Sequence, residues 1–175
     1  MHMLTYYRAF FAISLAFTLA FEAKADDKIV LGYVENAFLG KLGLALKAKL
    51  DTGAASSSVY ARDIELYTKG ETDDWVRFRL IDKDGRKIRY DQNVTRFVLI
   101  KKKAGGGFIR RPVIKLPLCV GGISATADVN LADRQDFNYE LLIGREFLAN
   151  RILVDSGQSF LAEKPCDVGV KKDED

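Results

Sequence analysis

From Trp75 to Tyr90 the chain alternates with a period of two around an Asp-Gly turn, and this pattern restricts the possible folds more than any other feature. Val76, Phe78 and Leu80 fall on one face of an extended segment, Arg77 and Arg79 on the other, as a half-buried strand requires. Lys83-Asp84-Gly85-Arg86 supplies turn chemistry and the alternation resumes from Lys87 to Tyr90, so a β-hairpin is predicted. Thr95 to Ile100 reads as another strand, ended by Ala104-Gly105-Gly106-Gly107. Phe108 to Val120 is again extended, and Pro112 and Pro117 within it favour an edge or a bulge over a central position. Gly121-Gly122 makes the next turn and Ile123 to Leu131 returns as a strand. A short helix is predicted after Gly144, carrying Phe147 and Leu148, followed by a β-like run from Arg151 to Val154. An all-β domain follows.

The N-terminus must be set aside first. Arg8 precedes an apolar run from Ala9 to Phe21, and Ala23-Lys24-Ala25 fits the small-x-small cleavage rule of a secretory signal. The run is shorter than the roughly 20 residues that a membrane-spanning helix needs. We therefore expect a signal over 1–25, export to the periplasm or medium, a single domain over 26–163, and a polar tail over 164–175 whose end is disordered. No stable membrane span is expected once the signal is removed; an uncleaved anchor is the alternative.

Scarcity excludes several chemistries. The only histidine is His2, inside the signal, which rules out Ser-His-Asp, Cys-His and His-ligated zinc sites in the remainder. With 27 basic and 24 acidic residues the net charge is +3, and no basic stripe implies nucleic acid; Lys101-Lys102-Lys103 reads as a solvated strand end. Cys119 and Cys166 are the only cysteines. In an oxidising compartment they suggest a disulfide, with two buried thiols as the alternative.

Chemistry concentrates at Ala48-Lys49-Leu50-Asp51-Thr52-Gly53-Ala54. An alternating strand delivers Asp51 into a tight turn, Gly53 lets the backbone pass close by, and small neighbours leave the carboxylate open. The hydroxyls of Ser56, Ser57 and Ser58 can brace the turn. No Ser-x-x-Lys occurs among them, so support rather than nucleophilic catalysis is expected. Taken alone, Asp-Thr-Gly is only a turn. Downstream, Glu140-Leu141-Leu142-Ile143-Gly144-Arg145-Glu146-Phe147-Leu148 pairs a buried apolar strand with a glycine, an arginine and the short helix. Val154-Asp155-Ser156-Gly157 imitates a second catalytic motif but reads as a strand ending in a turn.

These two motifs in this order resemble the retropepsins, the single-domain aspartic peptidases that include the retroviral enzymes. Trp75-Val76-Arg77-Phe78, Arg111-Pro112-Val113-Ile114 and Leu131-Ala132-Asp133-Arg134 are similar to a bacterial retropepsin-like family often labelled ATP-dependent zinc proteases. Neither part of that label suits these residues: there is no Gly-x-x-x-x-Gly-Lys-Ser/Thr loop and no histidine beyond the signal, so no cofactor is expected. The resemblance implies a small closed β-barrel with one short helix after the Gly-Arg motif. It also implies a homodimer acting on peptide or protein substrates, with Asp51 as catalytic residue in each chain. Thr52 would bond across the dimer beneath the carboxylates and Gly53 would bind substrate backbone, with Ala54, Ser57 and Arg145 as supports. A glycine-rich hairpin would close over the peptide: Ala104-Gly105-Gly106-Gly107-Phe108 is the candidate flap and the Asp84-Gly85 hairpin its competitor. Two departures stand out. Position 55 is Ala55 where retroviral enzymes carry the aspartate that pairs with the motif arginine, and Asp51 and Gly144 lie 93 residues apart, room for an extra hairpin. A non-catalytic peptide-binding or regulatory domain is the alternative function.

Overall fold

The computed structural model describes residues 28–71, 73–82, 84–102, 106–133 and 138–167. The predicted signal, Lys83, Lys103, Ala104, Gly105, Arg134 and the end of the tail lie outside the described residues. Eleven strands and one helix make up the rest: β1 (Ile29–Leu39), β2 (Leu44–Leu50), β3 (Ser57–Tyr60), β4 (Arg62–Lys69), β5 (Asp73–Ile81), β6 (Lys87–Asn93), β7 (Arg96–Lys101), β8 (Phe108–Val120), β9 (Ile123–Ala132), β10 (Leu141–Ile143), α1 (Arg145–Leu148) and β11 (Ile152–Ser159).

The main sheet has the order β11-β1-β2-β10-β3-β9-β8-β7, and an added β1–β8 pairing closes six of these strands into a ring. Two long strands make closure possible by changing partners along their length. β1 runs parallel to β11 through Gly32, bulges, then pairs with β2 from Val34 and with β8 from Ala37. β8 pairs with β7 up to Val113, with β9 from Val113 onward, and with β1 from Leu118. Such partner changes at bulges turn the corners of a closed sheet. Inside, Leu39, Leu44, Leu50, Val59, Ile114, Leu116, Leu118, Leu131, Leu141 and Ile143 are almost completely buried and form one apolar core.

The predicted hairpin is β5–β6, in register from Trp75↔Asn93 to Ile81↔Lys87. With β4 it forms a separate three-stranded sheet. Val76, Phe78 and Leu80 point into the same core, and Phe78 stacks on Tyr90 at 5.1 Å between centroids. The turn is held by Asp82, whose carboxylate accepts the N–H groups of Asp84 (3.0 Å) and Arg86 (2.8 Å) and the Arg86 Nε (3.1 Å). Gly121 and Gly122 form the two-residue β8–β9 turn, both with positive φ (57° and 78°), as a type I′ turn demands.

The prolines correct the expectation of an edge position, because β8 lies inside the sheet order. Each nevertheless sits where the strand has a ladder on one side only. Pro112 faces Phe97 of β7 just before the β9 ladder begins, and Pro117 faces Thr126 of β9 between the end of the β7 ladder and the start of the β1 ladder. A missing N–H costs nothing at such positions.

The C-terminal segment is fastened twice. The buried Glu35 side chain accepts the N–H groups of Gly32 (2.8 Å), Leu161 (2.8 Å) and Ala162 (3.4 Å), so its oxygens have partners away from water. Cys119 and Cys166 form a disulfide with 5.9 Å between Cα atoms, so the first residues of the polar tail are tied to β8.

Candidate active site

Strand β10 lies between β2 and β3, parallel to the former and antiparallel to the latter. The turn that joins β2 to β3 therefore protrudes at the end of β10, and Asp51 opens it. The Asp51 N–H donates to the Ile143 carbonyl (2.8 Å) and its own carbonyl accepts the Ala54 N–H (3.2 Å). Asp51 Oδ1 accepts the Gly53 N–H at 2.9 Å, while Oδ2 lies 3.7 Å from Lys49 Nζ; the side chain keeps 25 % of its exposure. Lys49 and Asp51 are two residues apart and so share a face.

The Gly144-Arg145 segment locks this turn from behind. Arg145 N–H donates to the Ala54 carbonyl (2.9 Å) and Glu146 N–H to the Ala55 carbonyl (3.0 Å). The Gly144 N–H donates to Ser57 Oγ (3.2 Å), and the Arg145 guanidinium reaches the Thr52 carbonyl (2.8 Å). Glycine is required at 144 by proximity alone, since a Cβ there would lie 2.6 Å from Ser56 backbone atoms. Asp51, Thr52, Gly53, Ala54, Ser57 and Arg145 are thus brought into one loop assembly. Arg145, lacking an aspartate at position 55, takes a backbone carbonyl instead.

Three residues to which the sequence assigned no site role complete the surroundings. Asn130 of β9 is 3 % exposed, donates Nδ2 to the Ser57 carbonyl (2.7 Å) and approaches Ser56 Oγ (3.5 Å). Arg111 of β8 approaches Asn130 Oδ1 with Nη1 at 3.5 Å, and burial pulls its guanidinium below the ordinary arginine pKa. Lys49 stands beside Asp51 as described. The lysine was visible as a same-face neighbour two residues before Asp51 and Arg111 as part of a family-like motif, but their placement beside the site, and that of Asn130, comes only from strand pairing.

The imitation motif has a similar local turn, with Gly157 N–H donating to Asp155 Oδ1 at 2.8 Å. It does not end the strand as expected. It lies within β11, where the ladder to β1 jumps from Gly32↔Asp155 to Val34↔Ser159, so the motif is a bulge. Lys101 closes β7 and Lys102 follows it, both exposed. Among the described residues no group of three or more His, Cys, Asp and Glu side chains is placed to hold a metal ion, and no helix is long and apolar enough to cross a membrane.

Similarity to known proteins agrees with this geometry. A protein named "Probable alpha-L-glutamate ligase" from Shewanella halifaxensis is 34 % identical over 152 residues, covering 85 % of this chain but 33 % of that protein. Its counterpart from Parasynechococcus marenigrum is 33 % identical over 132 residues, 73 % of this chain and 28 % of its own length. The chain thus spans about a third of these relatives. The crystal structure of Lpg0085, a protein of unknown function from Legionella pneumophila, superposes with a TM-score of 0.63 at 34 % identity, covering 77 % of this chain and 98 % of that one. The RimB-like family, described as "Retropepsin-like aspartic endopeptidase RimB", matches residues 30–165. That stretch takes in the Asp51 turn, β10 and Gly144-Arg145, and the chain belongs to this retropepsin-like family.

Proposed function

We propose that this domain is an aspartic endopeptidase whose reaction centre forms when Asp51 meets Asp51 of a second copy. The observation that carries the reading is an open aspartate oriented by the Gly53 N–H, in a turn whose backbone is fixed by Gly144, Arg145 and Glu146. A single carboxylate cannot serve as base and acid in the same step. Two held close share one proton. The ionised partner takes a proton from water as the water oxygen bonds to the peptide carbonyl carbon, and the protonated partner gives its proton to the carbonyl oxygen. The tetrahedral intermediate then collapses, a proton reaches the amide nitrogen, and the C–N bond breaks.

The name of the relatives, a glutamate ligase, motivates a substrate containing L-glutamate residues. We take the mature protein to act outside the cytoplasm after loss of residues 1–25. The β7–β8 hairpin suits a flap better than β5–β6. Leu99, Phe108 and Ile109 near its tip are 66 %, 62 % and 42 % exposed, an apolar surface able to cover a peptide, whereas the β5–β6 turn is tied down by Asp82.

Incubating wild type and Asp51→Asn with a diverse peptide mixture, at several pH values and with or without EDTA, tests the assignment. Cleavage by wild type alone, indifferent to EDTA and falling on dilution of the enzyme, is expected; full activity in Asp51→Asn or loss in EDTA would refute it. A second reading, a peptide-binding domain without cleavage, is favoured by Ala55 in place of the supporting aspartate and by the lysine cation beside Asp51 Oδ2. No cleavage by wild type under any condition would select it.

A further inference from the structure

We propose that Arg111 is the specificity-determining residue of the peptide groove, receiving a side-chain carboxylate of the substrate; the assignment rests on the endopeptidase reading of the same site. Arg111 lies in β8 three residues beyond Phe108, between the apolar tip of the β7–β8 hairpin and the segment leaving the Asp51 turn. Its link to that segment is short: Arg111 Nη1 to Asn130 Oδ1, then Asn130 Nδ2 to the Ser57 carbonyl and Ser56 Oγ. A peptide held between hairpin and turn would pass beside this chain of contacts.

Several other cations on and around these strands already have a partner, while Lys101 and Lys102 at the end of β7 are exposed. Arg96 pairs with Asp128 and Glu146, Lys115 with Asp128, Arg77 with Asp91, Arg79 with Asp63 and Arg86 with Asp82. Arg110 lies over the Phe97 ring, 3.2 Å from its centroid. Among the described residues, the half-buried Arg111 meets only a neutral amide oxygen at the limit of hydrogen-bond distance. Most of its five N–H donors have no protein partner among the described residues. A carboxylate fits the gap, because it takes two parallel N–H bonds from a guanidinium in a geometry a lysine cannot offer. The same side chain in a groove for neutral peptides would remain desolvated without return.

The test uses two internally quenched peptides that differ only in Glu against Gln, with wild type, Arg111→Gln, Arg111→Lys and Asp51→Asn. Glutamine at 111 retains an amide donor toward Asn130, so the variant is expected to fold; lysine retains the charge without the fork. For wild type, kcat/KM is expected to favour the Glu peptide by tenfold or more, on the order of what a site built around a polar group discriminates. Arg111→Gln should abolish that preference by raising KM for the Glu peptide more than for the Gln peptide, and Arg111→Lys should recover part of it. Equal losses on both peptides would assign Arg111 a structural role and overturn the proposal, as would cleavage by wild type without preference. Calorimetric binding of the Glu peptide to Asp51→Asn, with and without Arg111→Gln, separates the two levels. Binding that depends on Arg111 without cleavage by wild type would refute the endopeptidase reading alone. Cleavage with binding indifferent to Arg111 would refute the specificity assignment alone. Neither binding nor cleavage would refute both.

Discussion

Ser57 is 1 % exposed and its hydroxyl is the acceptor for the Gly144 N–H. Ser57→Ala should therefore leave a buried donor unsatisfied and lower stability by about 1–3 kcal/mol in urea unfolding; an unchanged midpoint would mean that the N–H finds water. Gly144→Ala acts from the other side of the same contact. Its Cβ would meet Ser56 backbone at 2.6 Å, and because backbone cannot step aside as a flexible side chain does, a loss of about 1–3 kcal/mol is expected together with displacement of the Asp51 turn. Asp51, Ser57 and Gly144 were legible in the sequence because each belongs to a contiguous run with its own turn or strand chemistry. Asn130 was not. Its partner Ser57 lies 73 residues away, and an asparagine in a strand carries no local sign that its amide closes a distant loop.

Elements were legible where one face is buried and the other wet. β5 and β6 show this alternation, and Val76, Phe78 and Leu80 enter the core as the pattern requires. β4 gave no such signal: it is a polar edge strand exposed along nearly its whole length, with Leu66 46 % exposed although it pairs with buried Val76. β1 is equally silent because it bulges between Gly32 and Val34, adds new partners beyond that point and is buried on both faces in places, which destroys the period of two. The β5–β6 turn carries a pH prediction. Burial alone would raise the Asp82 pKa, but the N–H groups of Arg86 and Asp84 and the Arg86 guanidinium outweigh it and hold it below the ordinary carboxylate value. A depressed folded pKa contributes stability above the unfolded value near 4, lost as pH falls through the folded value. Asp82→Ala should thus cost about 1–3 kcal/mol at neutral pH, with the gap from wild type narrowing below about pH 4. Urea unfolding at both pH values checks this; a gap independent of pH would assign the effect to packing.

The ring of strands depends on contacts far apart in sequence, which is why its closure was expected only from family resemblance. β1 meets β11 across more than half the chain and β8 across nearly half of it, and no local pattern encodes those pairings. The Cys119–Cys166 disulfide joins residues separated by 47 positions, and removing it with Cys119→Ala and Cys166→Ala should lower stability by about 4 kcal/mol on loop-entropy grounds. Equal unfolding midpoints with and without reductant would contradict that. At the same scale stands the claim that one chain holds half a site. Mixtures of wild type and Asp51→Asn, unfolded and refolded together at fixed total concentration, test it most directly through cleavage rate against wild-type fraction. If each site needs Asp51 from both subunits of a symmetric dimer, the rate falls as the square of the wild-type fraction; a linear fall would show that a single chain carries a complete site.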